Sequence, residues 1–174
     1  TFAPAMSKKK NINIENVIVT DAGAKGKSVA KAPDGRVIFI NNAIPGDVVD
    51  VQTTKKKSAY YEGFATKFHE YSNRRVTPVC SHFGYCGGCK WQDMNYESQL
   101  YYKQKEVENN LVRLGKITIP ELMPIVASEN IYFYRNKMEF SFSDMRWLTP
   151  EEIQNANTIE QRNGLGFHIA GAWD

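Results

Sequence analysis

The stretch Val29-Ala-Lys-Ala-Pro-Asp-Gly-Arg-Val-Ile-Phe-Ile40 decides how the first part of the chain is read. Two short β-type runs, Val29 to Lys31 and Arg36 to Ile40, flank Pro33-Asp34-Gly35. Proline presets φ, and Asp and Gly accept a tight bend, so the triplet predicts a turn and the two runs a hairpin. Upstream, Asn16 to Thr20 carries Val17, Ile18 and Val19 as a further strand. Downstream, Pro45-Gly46 makes a second turn before Asp47-Val-Val-Asp-Val51, and Ala59 to His69 reads as a last strand. Lys55-Lys56-Lys57 falls where a loop is expected. Five short strands in about sixty residues predict a small closed barrel of the OB or SH3 sort over 12–71, because closure removes exposed sheet edges. Residues 1–11 read as a disordered tail.

Inside this region, Gly26-Lys27-Ser28 imitates the end of a phosphate-binding loop. A true P-loop needs glycine where Asp21 stands, and a helix after the serine. Val29-Ala-Lys-Ala-Pro33 breaks any helix, so the segment reads as a Gly-rich connection between strands.

All three cysteines lie in Cys80-Ser-His-Phe-Gly-Tyr-Cys86-Gly-Gly-Cys89-Lys-Trp-Gln92, spaced C-x5-C-x2-C. Thiolates are strong ligands for soft metal centres, and three cysteines cannot pair among themselves. Gly87 and Gly88 are expected to permit a tight turn between Cys86 and Cys89 through positive φ. Spacing alone leaves two metals open. Zinc requires a fourth ligand, which His82 or His69 could supply; a [4Fe–4S] cluster normally takes four thiolates. Radical-SAM chemistry is disfavoured, because its C-x3-C-x2-C spacing has a shorter first gap.

Beyond the cysteines, Asn95 to Leu114 predicts one long helix capped by Asn95. Tyr96, Leu100, Val107, Leu111 and Leu114 form its expected core stripe, with Gly115 as a left-handed terminator. Tyr132 to Ser143 alternates with period two, predicting a strand with Tyr132, Tyr134, Met138, Phe140 and Phe142 on one face and Arg135 and Lys137 on the other. Thr149-Pro150-Glu151-Glu152 predicts a capping box and a short helix. Leu165 to Ile169 reads as a strand pairing back on Phe140–Phe142. The fold class is thus α+β, mainly β: a small OB-like barrel, a cysteine and helix segment over 72–119, and the start of an antiparallel β domain over 120–174. The chain's end at Trp173-Asp174 reads as a cut within that domain.

The 174 residues are 42% hydrophobic and carry a net charge of +3, with nine Tyr and nine Phe. Basic residues cluster as Lys8–Lys10, Lys55–Lys57 and Arg74-Arg75, and such runs beside aromatics favour a polyanionic partner, RNA or DNA. No apolar run approaches the ~18–20 residues of a membrane span, so no membrane partner is expected and a cytoplasmic location is. Candidate nucleic-acid contacts are Lys55, Lys56, Lys57, Arg74, Arg75, Arg135 and Lys137; candidate metal ligands are Cys80, Cys86 and Cys89.

The cysteine motif with its flanks resembles the RumA/TrmA-type RNA 5-methyluridine methyltransferases, in particular the branch acting on 23S ribosomal RNA. Tyr96, Gln99-Leu100, Lys103, Leu111–Gly115, Tyr134–Phe140 and Leu165-Gly166-Phe167 continue the likeness. Gly26–Lys31, Phe39 and Ala43–Asp47 resemble that family's TRAM domain, an RNA-binding barrel. The resemblance implies that Cys80, Cys86 and Cys89 ligate a [4Fe–4S] cluster together with a fourth cysteine absent from this sequence. It implies ribosomal RNA as partner and S-adenosylmethionine as methyl donor. The donor site and the catalytic cysteine match nothing in these residues, so the chain by itself is expected to be inactive as a methyltransferase. A free-standing, zinc-stabilised RNA-binding module, using His82 or His69 as fourth ligand, is the alternative.

Overall fold

The computed structural model describes residues 11–155 and 159–168. Residues 1–10 of the expected tail, Ile169 and the final residues lie outside that range. Proximity groups the described residues into two units: one runs to Val76 and includes Met94–Ile125, the other comprises Thr77–Asp93 and the residues from Val126 onward. The helix thus groups with the barrel and the cysteines with the later residues.

Five strands close the barrel: β1 (Asn13–Ala22), β2 (Ser28–Lys31), β3 (Val37–Asn41), β4 (Val48–Lys56) and β5 (Tyr60–Glu70). Their order around the barrel is β1-β2-β3-β5-β4, with β4 returning to β1 and the β3–β5 pair parallel. The predicted hairpin joins β2 to β3 through Pro33-Asp34-Gly35, with Val29 opposite Phe39 and Lys31 opposite Val37. Alternation sends Ile14, Val17, Val19, Ala30, Ile38, Ile40, Val49, Val51 and Tyr61 inward to one core. Between Ala22 and Ser28 the chain makes a 3-10 turn at Ala24–Gly26 and then enters β2, so the phosphate-loop imitation is a connection between strands.

Two buried carboxylates organise the barrel's irregular points. At a β1 register shift, Asn16 adopts φ 53° and its amide donates to Asp50 Oδ1 at 2.9 Å. That bond, then His69 Nε2 at 2.7 Å, holds the Asp50 carboxyl below its usual range. Asp47 is fully buried and accepts from the Ile44 amide, the Ser72 amide and both Nε and Nη2 of Arg75. Gly46 beside it has φ 98°, and a Cβ there would overlap Ser72 Oγ, so both conformation and space require glycine.

The predicted helix is α1 (Tyr96–Asn109), capped by the Asn95 side chain on the Ser98 amide and extended by a π-turn over Asn110–Leu114. Two expectations fail here. Gly115 is right-handed at φ −72°, and the left-handed residue is Lys116 at φ 55°. The apolar stripe is not the buried face, since Val107 and Leu114 are exposed while Ser98 and Tyr102 are buried. The face used carries Ser98, Tyr102 and Lys105, whose ammonium reaches Asp21 at 2.7 Å.

In the second unit the expected long strand over 132–143 is reduced to β6 (Ser141–Ser143), paired antiparallel with β7 (Gly164–Gly166). A strand needs a neighbour to receive its backbone bonds. Among the described residues only Gly164–Gly166 does so, and Tyr132 to Phe140 are exposed without ladder pairing. Arg135 and Lys137 therefore have no common strand face. The capping box is present: Thr149 Oγ1 accepts from the Glu152 amide, Glu152 Oε2 accepts from the Thr149 amide, and α2 (Pro150–Gln154) follows. No helix among the described residues is long and apolar enough to cross a membrane.

Candidate nucleic-acid interface and cysteine loop

Because Ile38, Ile40 and Tyr61 point inward, their neighbours on β3 and β5 point out. In register this outward face brings Val37 beside Tyr60, Phe39 beside Glu62 and Asn41 beside Phe64. Phe39 and Tyr60 meet edge to face at 5.5 Å, both half-buried. In the neighbouring ladders Lys31 on β2 lies opposite Val37 and Lys55 on β4 opposite Glu62, and Lys27, just before β2, reaches Glu62. Glu62 sits among these lysines, accepting from Lys27 at 2.7 Å and Lys55 at 3.3 Å. Lys27, then Lys55, hold its carboxyl below the usual range against the opposing effect of burial. Half-exposed rings framed by ammonium groups can stack bases and meet phosphates together. Sequence reading missed Phe39, Tyr60 and Phe64 as surface residues; Val37-Ile38-Phe39-Ile40 is an unbroken apolar run, so hydropathy carried no signal of which side faces out.

The predicted contact residues separate. Lys55 and Lys56 end strand β4 rather than forming a loop, and the reversal occupies Lys57 to Ala59. The strand extends because Lys55 pairs with Glu62 and Lys56 with Tyr61 across the ladder. Lys56 and Lys57 are exposed, with no carboxylate in ion-pair range among the described residues. Arg74 is exposed but its Nη1 donates to Ser98 Oγ at 3.2 Å. The Arg75 guanidinium is clamped on Asp47 at 2.7–2.9 Å and lies over the stacked rings of Phe68 and Tyr71. It is a structural group in this arrangement. Arg135 and Lys137 lie in the other unit, exposed, with Lys137 paired to Glu139 at 3.0 Å.

The cysteine loop is a run of turns. Cys80 O accepts from the Phe83 amide, and His82 O accepts from the Tyr85 and Cys86 amides. Cys80 and Cys89 are exposed, and Cys86 is half-buried. The Gly88 amide donates to Cys86 Sγ at 3.3 Å. Gln92 makes two bonds: its Oε1 accepts from the Cys80 amide at 2.7 Å and its Nε2 donates to Cys89 Sγ at 3.6 Å. Neither Gly87 nor Gly88 has positive φ, contrary to expectation. At Gly88 a Cβ would crowd the Phe167 ring at 3.0 Å, so a larger residue there needs that ring to give way.

A soft metal centre fits this loop by its donor chemistry, three thiols with N–H donors aimed at two sulfurs. Among the described residues no three His, Cys, Asp or Glu side chains are gathered tightly enough to hold an ion as they stand. His69 is bound to Asp50 in the barrel, and His82 Nδ1 lies 3.4 Å from Ser81 Oγ.

A closed barrel with this strand order and an aromatic, lysine-rich face defines an OB-type module of the sort that binds oligonucleotides. Residues 8–65 match the TRAM domain family. Over 151 residues the chain is 53% identical to an uncharacterized RNA methyltransferase of Bacteroides thetaiotaomicron, a match covering 87% of this chain and 33% of that protein. A similar protein of Porphyromonas gingivalis is 45% identical over 159 residues, 90% of this chain and 34% of its own length. The 23S rRNA (uracil(1939)-C(5))-methyltransferase RlmD of Acidovorax sp. is 37% identical over 131 residues, 72% of this chain and 27% of that enzyme. The chain thus carries a TRAM domain and is homologous to proteins named RNA methyltransferases, consistent with the RumA/TrmA type, and it spans about a third of the length of the curated relatives it matches.

Proposed function

We propose that this chain is the RNA-holding part of an S-adenosylmethionine-dependent RNA methyltransferase that modifies C5 of a uridine in 23S ribosomal RNA. The observation that carries the reading is the outward face of β3 and β5, where Phe39, Tyr60 and Phe64 are framed by Lys27, Lys31 and Lys55. Rings there receive unstacked bases, while Lys56 and Lys57 meet the backbone. The relatives named as RNA methyltransferases and as a 23S rRNA uracil-C5 enzyme support the substrate class. A cytoplasmic location goes with that substrate. Cys80, Cys86 and Cys89 are assigned to a [4Fe–4S] cluster whose fourth thiolate comes from outside this sequence, since only three cysteines are present. The chain by itself transfers no methyl group.

The test is binding of a short uridine-containing single-stranded RNA, followed by anisotropy at several salt concentrations. Phe39→Ala with Tyr60→Ala should weaken binding by about 1–3 kcal/mol per abolished stack while leaving the salt slope unchanged. Lys56→Gln with Lys57→Gln should flatten the slope by roughly 0.7 for each phosphate no longer neutralised. RNA binding unaffected by both pairs would move the interface off this face.

A further inference from the structure

We infer that Gln92 is a positioning residue for the thiolate centre, holding the first and third cysteines of the loop in one arrangement through a single carboxamide. The inference rests on reading the three cysteines as ligands of a soft metal. Cys80 and Cys89 are both exposed and joined by a loop of turns, so nothing in packing fixes their separation. Gln92 supplies a fixed link: its carbonyl oxygen takes the Cys80 amide at 2.7 Å, while its amino group is aimed at Cys89 Sγ at 3.6 Å. An amide is suited to this because it carries an acceptor and a donor side by side in one rigid plane. Glutamate could accept from Cys80 but would set an acceptor against the sulfur. Leucine could do neither. The donor toward Cys89 also has a counterpart at Cys86, whose sulfur receives the Gly88 amide. Donors of this kind fix ligand orientation and offset charge on thiolate sulfur, and their loss typically costs ~10–100-fold in metal affinity. Cys80 gains only the backbone tie. Binding must therefore bring its sulfur in toward a pair already carrying N–H donors, and Gln92 restricts how far that sulfur can stray.

The experiment uses the reduced, metal-free full chain titrated with Co²⁺, whose thiolate complexes give a charge-transfer band in the near ultraviolet. The unsubstituted chain should develop that band at one ion per chain. Gln92→Leu should weaken cobalt binding by at least ~10-fold. Gln92→Glu, which keeps the tie to Cys80 and loses the donor to Cys89, should fall between the two and shift the band. Hydrogen exchange at the Cys80 amide is the second readout: slow in the parent and in Gln92→Glu, faster in Gln92→Leu. An unchanged barrel circular dichroism spectrum separates these effects from unfolding. A parent chain with no cobalt–thiolate band overturns the metal reading and this inference with it. A normal parent band with equal affinity in Gln92→Leu overturns the role of Gln92 alone, as does Cys80 exchange that ignores both substitutions.

Discussion

Among the described residues, the buried apolar side chains lie in the barrel unit, most on its strands and the 43–45 turn, with Met94 and Tyr102 at the helix. Among the described residues of Thr77–Asp93 and from Val126 onward there are none. The first unit satisfies its backbone by closing a sheet and fills the inside with aliphatic side chains. The second is held by turns, caps, the three-residue β6–β7 pair and side-chain bonds such as Gln92 to Cys80 and Arg146 to Glu152. Order in the barrel is therefore cooperative, whereas order in the cysteine unit is a set of local bonds that can be broken one at a time.

The contrast breaks most forcefully at Asp47. Asp47→Ala leaves the Arg75 guanidinium and two backbone amides without their buried acceptor, and should destabilise the barrel by about 3–5 kcal/mol in urea melts followed by circular dichroism. A loss below about 1 kcal/mol would show that water replaces the carboxylate and that the cluster is not buried in solution. Ile38→Ala, at the fully buried centre of β3, should cost about 2–5 kcal/mol. Leu165→Ala on exposed β7 should stay within about 0.5 kcal/mol. Similar losses at the two positions would erase the difference between the units. Trp91 and Trp147 belong to the second unit and the barrel strands contain no tryptophan, so fluorescence and circular dichroism follow the two separately.

A pH titration sharpens the comparison on a smaller scale. Glu152 is held down to about 2 from 4.5, first by Arg146 and then by the Thr149 amide. A depressed carboxylate contributes stability above its unfolded pKa, and that contribution is lost as pH falls through the folded value. The α2 cap should therefore persist through pH 4 and release only near pH 2, seen as late movement of the Thr149 and Glu152 amide resonances. Release near pH 4.5 would mean the Arg146 ion pair is not formed. The smallest effect is expected at Glu62→Gln, which frees Lys27 and Lys55 and should tighten RNA binding a few-fold with a steeper salt slope. Weaker binding would mean that Glu62 orients the two lysines for RNA rather than restraining them.

Much of the barrel was legible because its signals are local and redundant. Pro33-Asp34-Gly35 and Pro45-Gly46 fixed two turns, while the continuous apolar run Val37-Ile38-Phe39-Ile40 marked a strand without showing that Ile38 and Ile40 are the residues that face inward. The capping box at Thr149 was readable for the same reason. Helix α1 existed as predicted, but periodicity alone could not say which face would be used. Tyr102 and Lys105 found partners in the barrel unit, and small, polar Ser98 carried no signal of burial. The alternation at 132–143 failed for a different reason, since a pattern describes one strand while a sheet requires two. At the site, charge runs suggested Arg75 as an RNA-binding residue. Its commitment to Asp47 depends on a residue 28 positions away that no local window includes.

The order β1-β2-β3-β5-β4 has a consequence in time. The β2–β3 hairpin can pair as soon as both runs have been synthesised, because Ser28 meets Ile40 across a short turn. Strand β1 cannot complete its second edge until β4 exists, since Asn13 pairs with Gln52, and β3 waits still longer for its parallel partner Tyr60–Phe64. Such non-local pairings place barrel closure on the slow, millisecond-to-second side of small-domain folding. A nascent chain halted within β4 would present β3 with an open edge, and β5, which seals it, becomes the step at which the newborn barrel stops being a target for aggregation.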